Sequence, residues 1–537
     1  MDSPVTHSEV NDSVTVPRIV RTGLAACMLA IVALSGWYVG CALLSLHRAI
    51  LLPQVLSISE PQAIAAGMRV AAGTAMLTDF RIGYPIIPLP YGVLEYWLPG
   101  IVARSVGWRD AMNVLFLGRL VSLLSLVIIL ILYWRLLRQE DLPARYAVIA
   151  ALPLLWAAYP LRWAAQFAPD FPAVALSLAG WCVGRTVLLA RNETRSRGNP
   201  IVYATAQALL WTAAFHFKPT MIPGVVAFLF EASAGRTGHV SANQRTRLRR
   251  AMVPLVLSAV FILSTSFALN AATQGLWYLN AVKSSAAFRF RLEYLFSSLT
   301  FHPTLSPLLI VFGMISLLLS RSIVVFRAVL ATAFLECLFM MKQGSNVDYL
   351  LGSIALFGFA LAKTAHGLSR TWKADVLLPG DGPAAIKRRY WIAVMVMGLM
   401  LAGSLAHNAR DAVLQTNELP APWKAEIAAA RNAVRKFGSD AVLCLDPLTA
   451  LRTGAYHPYV EPLQVLRLAE LGMVSLDQLV KRIETKTFRL IVVNPSFVRP
   501  PVYHDIAIFD TRVREAIRRN YVQFSAGNWL IMLAPQG

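Results

Sequence analysis

Ser57-Ile58-Ser59-Glu60, Asp79-Phe80-Arg81-Ile82-Gly83-Tyr84-Pro85 and Pro90-Tyr91-Gly92-Val93-Leu94-Glu95-Tyr96-Trp97 stand within forty-odd residues of one another, between two long hydrophobic runs. This is the first extended stretch in which carboxylates, aromatics and turn residues collect. The runs on either side, near 23-45 and 113-134, have the length of membrane spans, about twenty apolar residues. The stretch therefore reads as a long loop at a membrane edge, and its carboxylates are the first candidates for chemistry.

Composition supports that frame. The chain has 537 residues, 56% of them hydrophobic and 15% charged, and its mean hydropathy is +0.55. Ordinary soluble domains hold about 45–50% apolar residues. The formal charge of +21 does not indicate nucleic acid, because Lys and Arg fall in short clusters between apolar runs, the distribution that orients membrane helices. The five cysteines, Cys27, Cys41, Cys182, Cys337 and Cys444, form no CxxC pair and no zinc spacing.

About eleven spans are expected, centred in 23-45, 113-134, 146-162, 171-190, 201-216, 219-233, 251-270, 305-320, 323-341, 349-365 and 390-408. Residues 1-22 read as a disordered cytoplasmic leader and 23-409 as the transmembrane module. The basic clusters fall on alternate connections, among them Arg135/Arg138/Arg145, Arg191/Arg195/Arg197 and Arg245/Arg247/Arg249/Arg250, which places that side in the cytoplasm. Outer loops 46-112 and 271-304 follow, and the region after Asn408 lies outside. Within the first loop Pro61 to Met76 and Leu94 to Val106 read as short interfacial helices. Gly180 and Gly184 form a GxxxG pair that permits close helix contact.

Residues 410-537 read as a small extracytoplasmic α/β domain. Helices are expected over Ala421 to Phe437, Leu476 to Thr485 and Thr511 to Tyr521, with strands over Ala441 to Leu445, Arg489 to Asn494 and Trp529 to Leu533. The expected architecture is thus an all-α polytopic membrane protein with a small α/β domain at its C-terminal end.

Glu60 and Asp79 are the candidate bases, because a carboxylate in reach of an acceptor hydroxyl or amine can take its proton. Each also has a structural reading: Glu60 in the first turn of a helix opened by Ser59 and Pro61, Asp79 in an Asx turn or paired with Arg81. Glu95, inside a helical pattern, is expected to be structural. Asp170 and Lys218 lie at outer ends of spans, where a charge is costly unless paired or useful; Lys218 suits a phosphate as a point charge. Lys283, Arg289 and Arg291 in the second outer loop suit an anionic headgroup, and the connection Lys342 to Tyr349, with Asn346 and Asp348, suits a sugar or phosphate. No Walker loop, HExxH or GxSxG occurs where it would matter.

These pieces, in this order, resemble the integral-membrane glycosyltransferases of the C-type superfamily, of the family-39-like kind that use polyprenyl-phosphate-linked sugars. The resemblance rests on Glu60 after the first span, Tyr84-Pro85, Tyr91 to Tyr96, Gly118-Arg119-Leu120-Val121-Ser122, Pro169-Asp170, Phe217-Lys218-Pro219-Thr220 and Gly344 to Tyr349. It departs from that pattern at Ser59, Val93 and Asp348, where Asp, Pro and Asn are expected. The resemblance implies an enzyme of a bacterial inner membrane that moves a hexosyl or pentosyl group, with inversion, from a polyprenyl-phosphate donor to an envelope glycan, lipid or protein. Glu60 or Asp79 would be the base, and Lys218, Asp170, Lys283, Arg289, Arg291, Asn346, Asp348, Tyr84 and Tyr91 would bind donor phosphate or sugar, with no cofactor fixed beyond an occasional divalent metal. A transporter or flippase of a lipid-linked saccharide, or a non-catalytic membrane scaffold, is the alternative.

Overall fold

The computed structural model describes residues 60–81, 86–156, 163–189, 199–220, 222–234, 242–301, 323–342, 347–373, 421–458, 462–493, 502–503, 506–507, 510–527 and 530–537, with isolated positions between 33 and 50. It is mostly helical, with a small sheet near the C-terminal end. The helices in chain order are α1 (Glu60–Ala71), α2 (Val93–Ser105), α3 (Ala111–Arg138), α4 (Tyr146–Trp156), α5 (Asp170–Leu189), α6 (Pro200–Phe217), α7 (Pro223–Ser233), α8 (Ala242–Ala272), α9 (Leu292–Phe301), α10 (Ile323–Met340) and α11 (Leu351–Lys373).

Helices occupy eight of the expected span positions; those expected near 23-45, 305-320 and 390-408 lie outside the described residues. Among the described residues, Ala111–Arg138 and Thr246–Ala272 are long and apolar enough to cross a membrane. α7, with 11 residues, rises only about 16 Å and cannot cross a ~30 Å hydrocarbon core alone. The ends are set by local chemistry. Asp110 caps α3 by accepting from the backbone N–H groups of Met112 and Asn113 at 2.9 and 3.1 Å, and Asn199 caps α6, which Pro200 opens.

The GxxxG pair does what its spacing allows. A Cβ on Gly180 would fall 2.4 Å from Trp211 Nε1 and one on Gly184 would fall 2.3 Å from the Gln207 amide. α5 and α6 therefore run antiparallel in close contact, so the start of α5, Asp170, meets the end of α6, Lys218.

In the first outer stretch α1 and α2 pack together over α3. The C-terminal helices are α12 (Ala421–Phe437), α13 (Pro447–Thr453), α14 (Pro462–Glu470), α15 (Asp477–Glu484) and α16 (Thr511–Asn520). The main sheet has the order β1 (Val442–Cys444), β2 (Leu490–Val493), β6 (Ile531–Pro535), β5 (Tyr521–Ala526). β1 and β2 are parallel, with Leu443 opposite Ile491, and β6 is antiparallel to both its neighbours. All four residues of β2, Leu-Ile-Val-Val, are buried, the pattern of a strand covered on both faces. α13, α14 and β5 were not legible in the sequence: α13 and α14 are short, and β5 continues directly from a helix.

α14 fastens this region to residues of the stretches 60–105 and 276–287. Gln464 accepts from Gln62 Nε2 at 3.1 Å and donates to Ser284 Oγ at 2.9 Å, Arg467 Nε donates to the Ala287 carbonyl at 2.9 Å, and the Ile86 N–H donates to the Pro458 carbonyl at 2.8 Å. Phe80, Ile86 and Leu279 share one hydrophobic cluster with Val465, Leu466 and Leu468. Apolar packing and buried amide bonds thus tie loop residues 62, 80, 86 and 276–287 to the C-terminal sheet.

Candidate active site

The site is organised around Lys218. Pro219 follows it, and a residue before proline is driven out of the helical region; Lys218 accordingly adopts φ −150° and ψ 109° and ends α6. Its side chain is 2% exposed. The ammonium lies 2.5 Å from Asp170 Oδ1, 4.0 Å from the centroid of the Tyr349 ring and 5.8 Å from that of Tyr91. A cation between two aromatic faces and a carboxylate is held in place without bulk water.

Gly92 brings the first loop to this point. Its N–H donates to the Phe217 carbonyl at 3.1 Å, and a Cβ there would fall 1.8 Å from the His216 carbonyl oxygen. No other residue fits at that approach. The contact seats the first turn of α2 on the end of α6 and carries Tyr91 and Glu95 to Lys218.

Glu95 is 2% exposed, and among the described residues neither of its carboxyl oxygens has a hydrogen-bond partner. Burial pushes its carboxyl well above the usual carboxylate range; Asp170 adds to that shift and Lys218 opposes it. The helical pattern predicts a structural part for Glu95, and no hydrogen-bond donor meets it among the described residues.

Lys342 closes another side. It follows α10, donates to Ser285 Oγ at 3.4 Å and lies 5.1 Å from the Phe288 ring centroid, while Ser285 Oγ donates to the Pro90 carbonyl at 3.2 Å. Burial, and then repulsion from Lys218, lowers its ammonium to about 8. Behind the cluster Glu336 on α10 is 2% exposed and accepts from the Ser353 N–H.

The remaining expected residues sit elsewhere. Glu60 is fully buried: Arg119 Nε and Nη2 donate to its two oxygens at 3.0 Å each, and the Phe167 N–H donates to Oε1 at 2.8 Å. Arg119 is fully buried too, so this pair locks α1 to α3 and to the approach of α5. Asp79 accepts from the N–H, Nε and Nη2 of Arg81; the Arg81 guanidinium holds its carboxyl below the usual range. Its side chain remains 20% exposed. Lys283, Arg289 and Arg291 are exposed, and the Arg291 N–H donates to the Met341 carbonyl at 2.8 Å, which sets these cations near Lys342 but on the surface. Tyr84, Asn346 and the side chain of Asp348 lie outside the described residues. Among the described residues no group of three or more His, Cys, Asp or Glu side chains is placed to hold a metal ion.

No protein-family model matches the chain, and no curated protein matches it in sequence. Solved structures do. ArnT from Cupriavidus metallidurans bound to undecaprenyl phosphate superposes with a TM-score of 0.58 at 12% identity, over 93% of this chain and 98% of ArnT; its apo state gives 0.57 at 11%, over 94% and 98%. The archaeal oligosaccharyltransferase AglB from Archaeoglobus fulgidus, in complex with an inhibitory peptide and a dolichol-phosphate, gives 0.52 at 10%, over 92% and 74%. The chain therefore shares the fold of ArnT and AglB. At these identities the likeness is one of fold, and the chemistry has to come from the site.

Proposed function

We propose that the protein is a glycosyltransferase of the extracytoplasmic membrane face, moving a sugar from a polyprenyl-phosphate-linked donor to an envelope glycan, lipid or protein with inversion at the anomeric carbon. The single observation that carries this reading is the desolvated Lys218, held between Asp170, Tyr91 and Tyr349 at the junction of α5, α6 and the first outer loop. A transporter would be expected to set its ionisable groups nearer the middle of the bundle.

The donor phosphate would replace Asp170 as the partner of Lys218, with Lys342 as second cation. Attack by the acceptor on the anomeric carbon breaks the bond to the phosphate oxygen, and the electron pair leaves on the lipid phosphate. Charge on that leaving group grows toward the transition state, and preorganised cations in a dry site stabilise it without reorganising.

The acceptor proton falls to an outer carboxylate. Asp79, a fifth exposed, can meet an acceptor from water, whereas Glu60 takes part only if Arg119 is displaced from it. Glu60 is better suited to fixing the loop. Purified protein given radiolabelled polyprenyl-phosphate sugar and envelope extract should transfer label. Asp79→Asn should reduce transfer about 100-fold or more, 100-fold being the lower end of what general acid–base catalysis contributes. Undiminished transfer in Asp79→Asn and in Glu60→Gln would remove both as bases, and absence of transfer by the wild type to any envelope fraction would remove the enzyme reading.

A further inference from the structure

Glu95 is a buried carboxyl group without a donor among the described residues, on the helix that Gly92 seats beside Lys218. Gly92 seats the first turn of α2 against the His216 carbonyl, which brings Glu95 within electrostatic reach of Asp170 on α5 and Lys218 at the end of α6; Tyr96 on its own helix is the other titratable neighbour. Tyr96 is engaged with the Tyr91 N–H at 3.3 Å. Among the described residues both Glu95 oxygens lack a hydrogen-bond partner, and a buried polar group left that way keeps its desolvation cost uncompensated. Such a group calls for an explanation, a ligand being one.

The charge state follows from the surroundings. Burial, with Asp170 beside it, shifts the carboxyl toward its neutral form, against the pull of Lys218. An ionised Glu95 would set a second carboxylate beside Asp170, in the way of an anion; a neutral one presents an O–H donor. The groups nearest to it include the ammonium of Lys218, and an oxygen carrying negative charge would satisfy both at once.

We propose that Glu95 is a phosphate-binding side chain of this site, its carboxylic O–H donating a hydrogen bond to a non-bridging phosphate oxygen of the lipid-linked donor while Lys218 balances that oxygen's charge. The assignment rests on the reading of the site as one for polyprenyl phosphate. It makes the first outer loop a direct ligand of the donor through a neutral acid, a role for which Gln can substitute and Met cannot.

The test titrates full-length protein in nanodiscs with two probes, undecaprenyl phosphate and undecaprenol, which differ only in the phosphate. Glu95→Gln, which keeps an N–H donor, should bind undecaprenyl phosphate within about twofold of wild type. Glu95→Met, of similar volume without a donor, should bind it about tenfold or more weakly, the loss expected of a hydrogen bond to a charged group, and should bind undecaprenol unchanged. Tight binding of undecaprenyl phosphate by Glu95→Met, or equal losses in Gln and Met, would overturn the assignment. A wild type that does not prefer the phosphate over the alcohol would overturn the lipid-phosphate reading itself, and this assignment with it. Should the Met variant fail to fold, retained phosphate affinity in Glu95→Gln supports the role and its loss overturns it.

Discussion

α5 carries a buried charge network at each end, and the two are built differently. At its start Asp170 meets Lys218, with Glu95 close by and unbonded. Near its other end Arg185 binds Glu140 and, at 2.8 Å, Glu231; Lys363 adds a second cation to Glu140 at 2.7 Å, Trp181 Nε1 donates to Glu231 at 2.9 Å, and Arg185 Nη1 donates to the Leu136 carbonyl at 3.1 Å. Each carboxylate of the second network is answered by a donor, which is what a desolvated network needs in order to hold helices together. The first leaves a carboxyl unanswered and surrounds its cation with aromatic faces. A network completed internally fixes structure; one left incomplete is suited to a ligand.

The largest effects should separate the two ends. The double variant Lys218→Met/Asp170→Asn removes both partners of the incomplete network, so no charge is stranded; transfer from lipid-linked donor should fall about 100-fold or more while the thermal unfolding midpoint in detergent stays close to wild type. Arg185→Met strands Glu231 and should cost about 3–5 kcal/mol of stability, with transfer per folded molecule preserved. The reverse pattern would break the comparison.

Glu60 and Arg119 provide the next test, since they resemble the completed network although they lie near the incomplete one. Glu60→Gln alone leaves a buried guanidinium without its anion and should destabilise by about 3–5 kcal/mol; adding Arg119→Met should restore most of the loss. Transfer that returns along with stability in the double variant, read by the labelled-sugar assay, identifies the pair as a strut between α1 and α3. Transfer that stays absent in the refolded double variant returns Glu60 to the chemistry.

The smallest effect is one of pH. The Lys342 ammonium is lowered to about 8, so it is charged below that pH and neutral above it. A phosphate monoester, whose second ionisation lies near 6, changes little above pH 7. Binding of undecaprenyl phosphate should therefore weaken severalfold between pH 7 and 9, and Lys342→Arg, which stays charged, should flatten much of that decline. The same displacement has a consequence for stability. An ammonium with its folded value below its unfolded value of ~10.4 opposes folding fully below pH 8, and that opposition fades as pH rises toward 10.

How much of this was legible depended on range. The eight helices at expected span positions, from Ala111–Arg138 to Leu351–Lys373, were visible because apolar runs report local burial whatever they pack against; α9, inside the stretch 271-304 read as a loop, was not. Asp170 and Lys218 were visible as candidates because a charge at the end of an apolar run is conspicuous. Gly180 and Gly184 showed that some helix could approach α5 closely, but not that the helix was α6. The setting of Glu95 was not legible, because a carboxylate in the first turn of an apolar helix has the same local pattern whether it meets a donor or not. Its setting came from Gly92 meeting His216, a contact across 124 residues.

By itself, then, the sequence determined a helical, apolar chain with carboxylates and cations at the ends of its apolar runs, and the order of motifs that resembles C-type glycosyltransferases. Only the tertiary structure decided which charges are partners. Glu60 went to Arg119, Asp79 to Arg81 and Asp170 to Lys218, and among the described residues Glu95 was left without a donor. The reason is physical: hydropathy is a sum over neighbouring residues, whereas the charge state and availability of a buried group depend on atoms a few ångströms away that the chain brings in from distant elements.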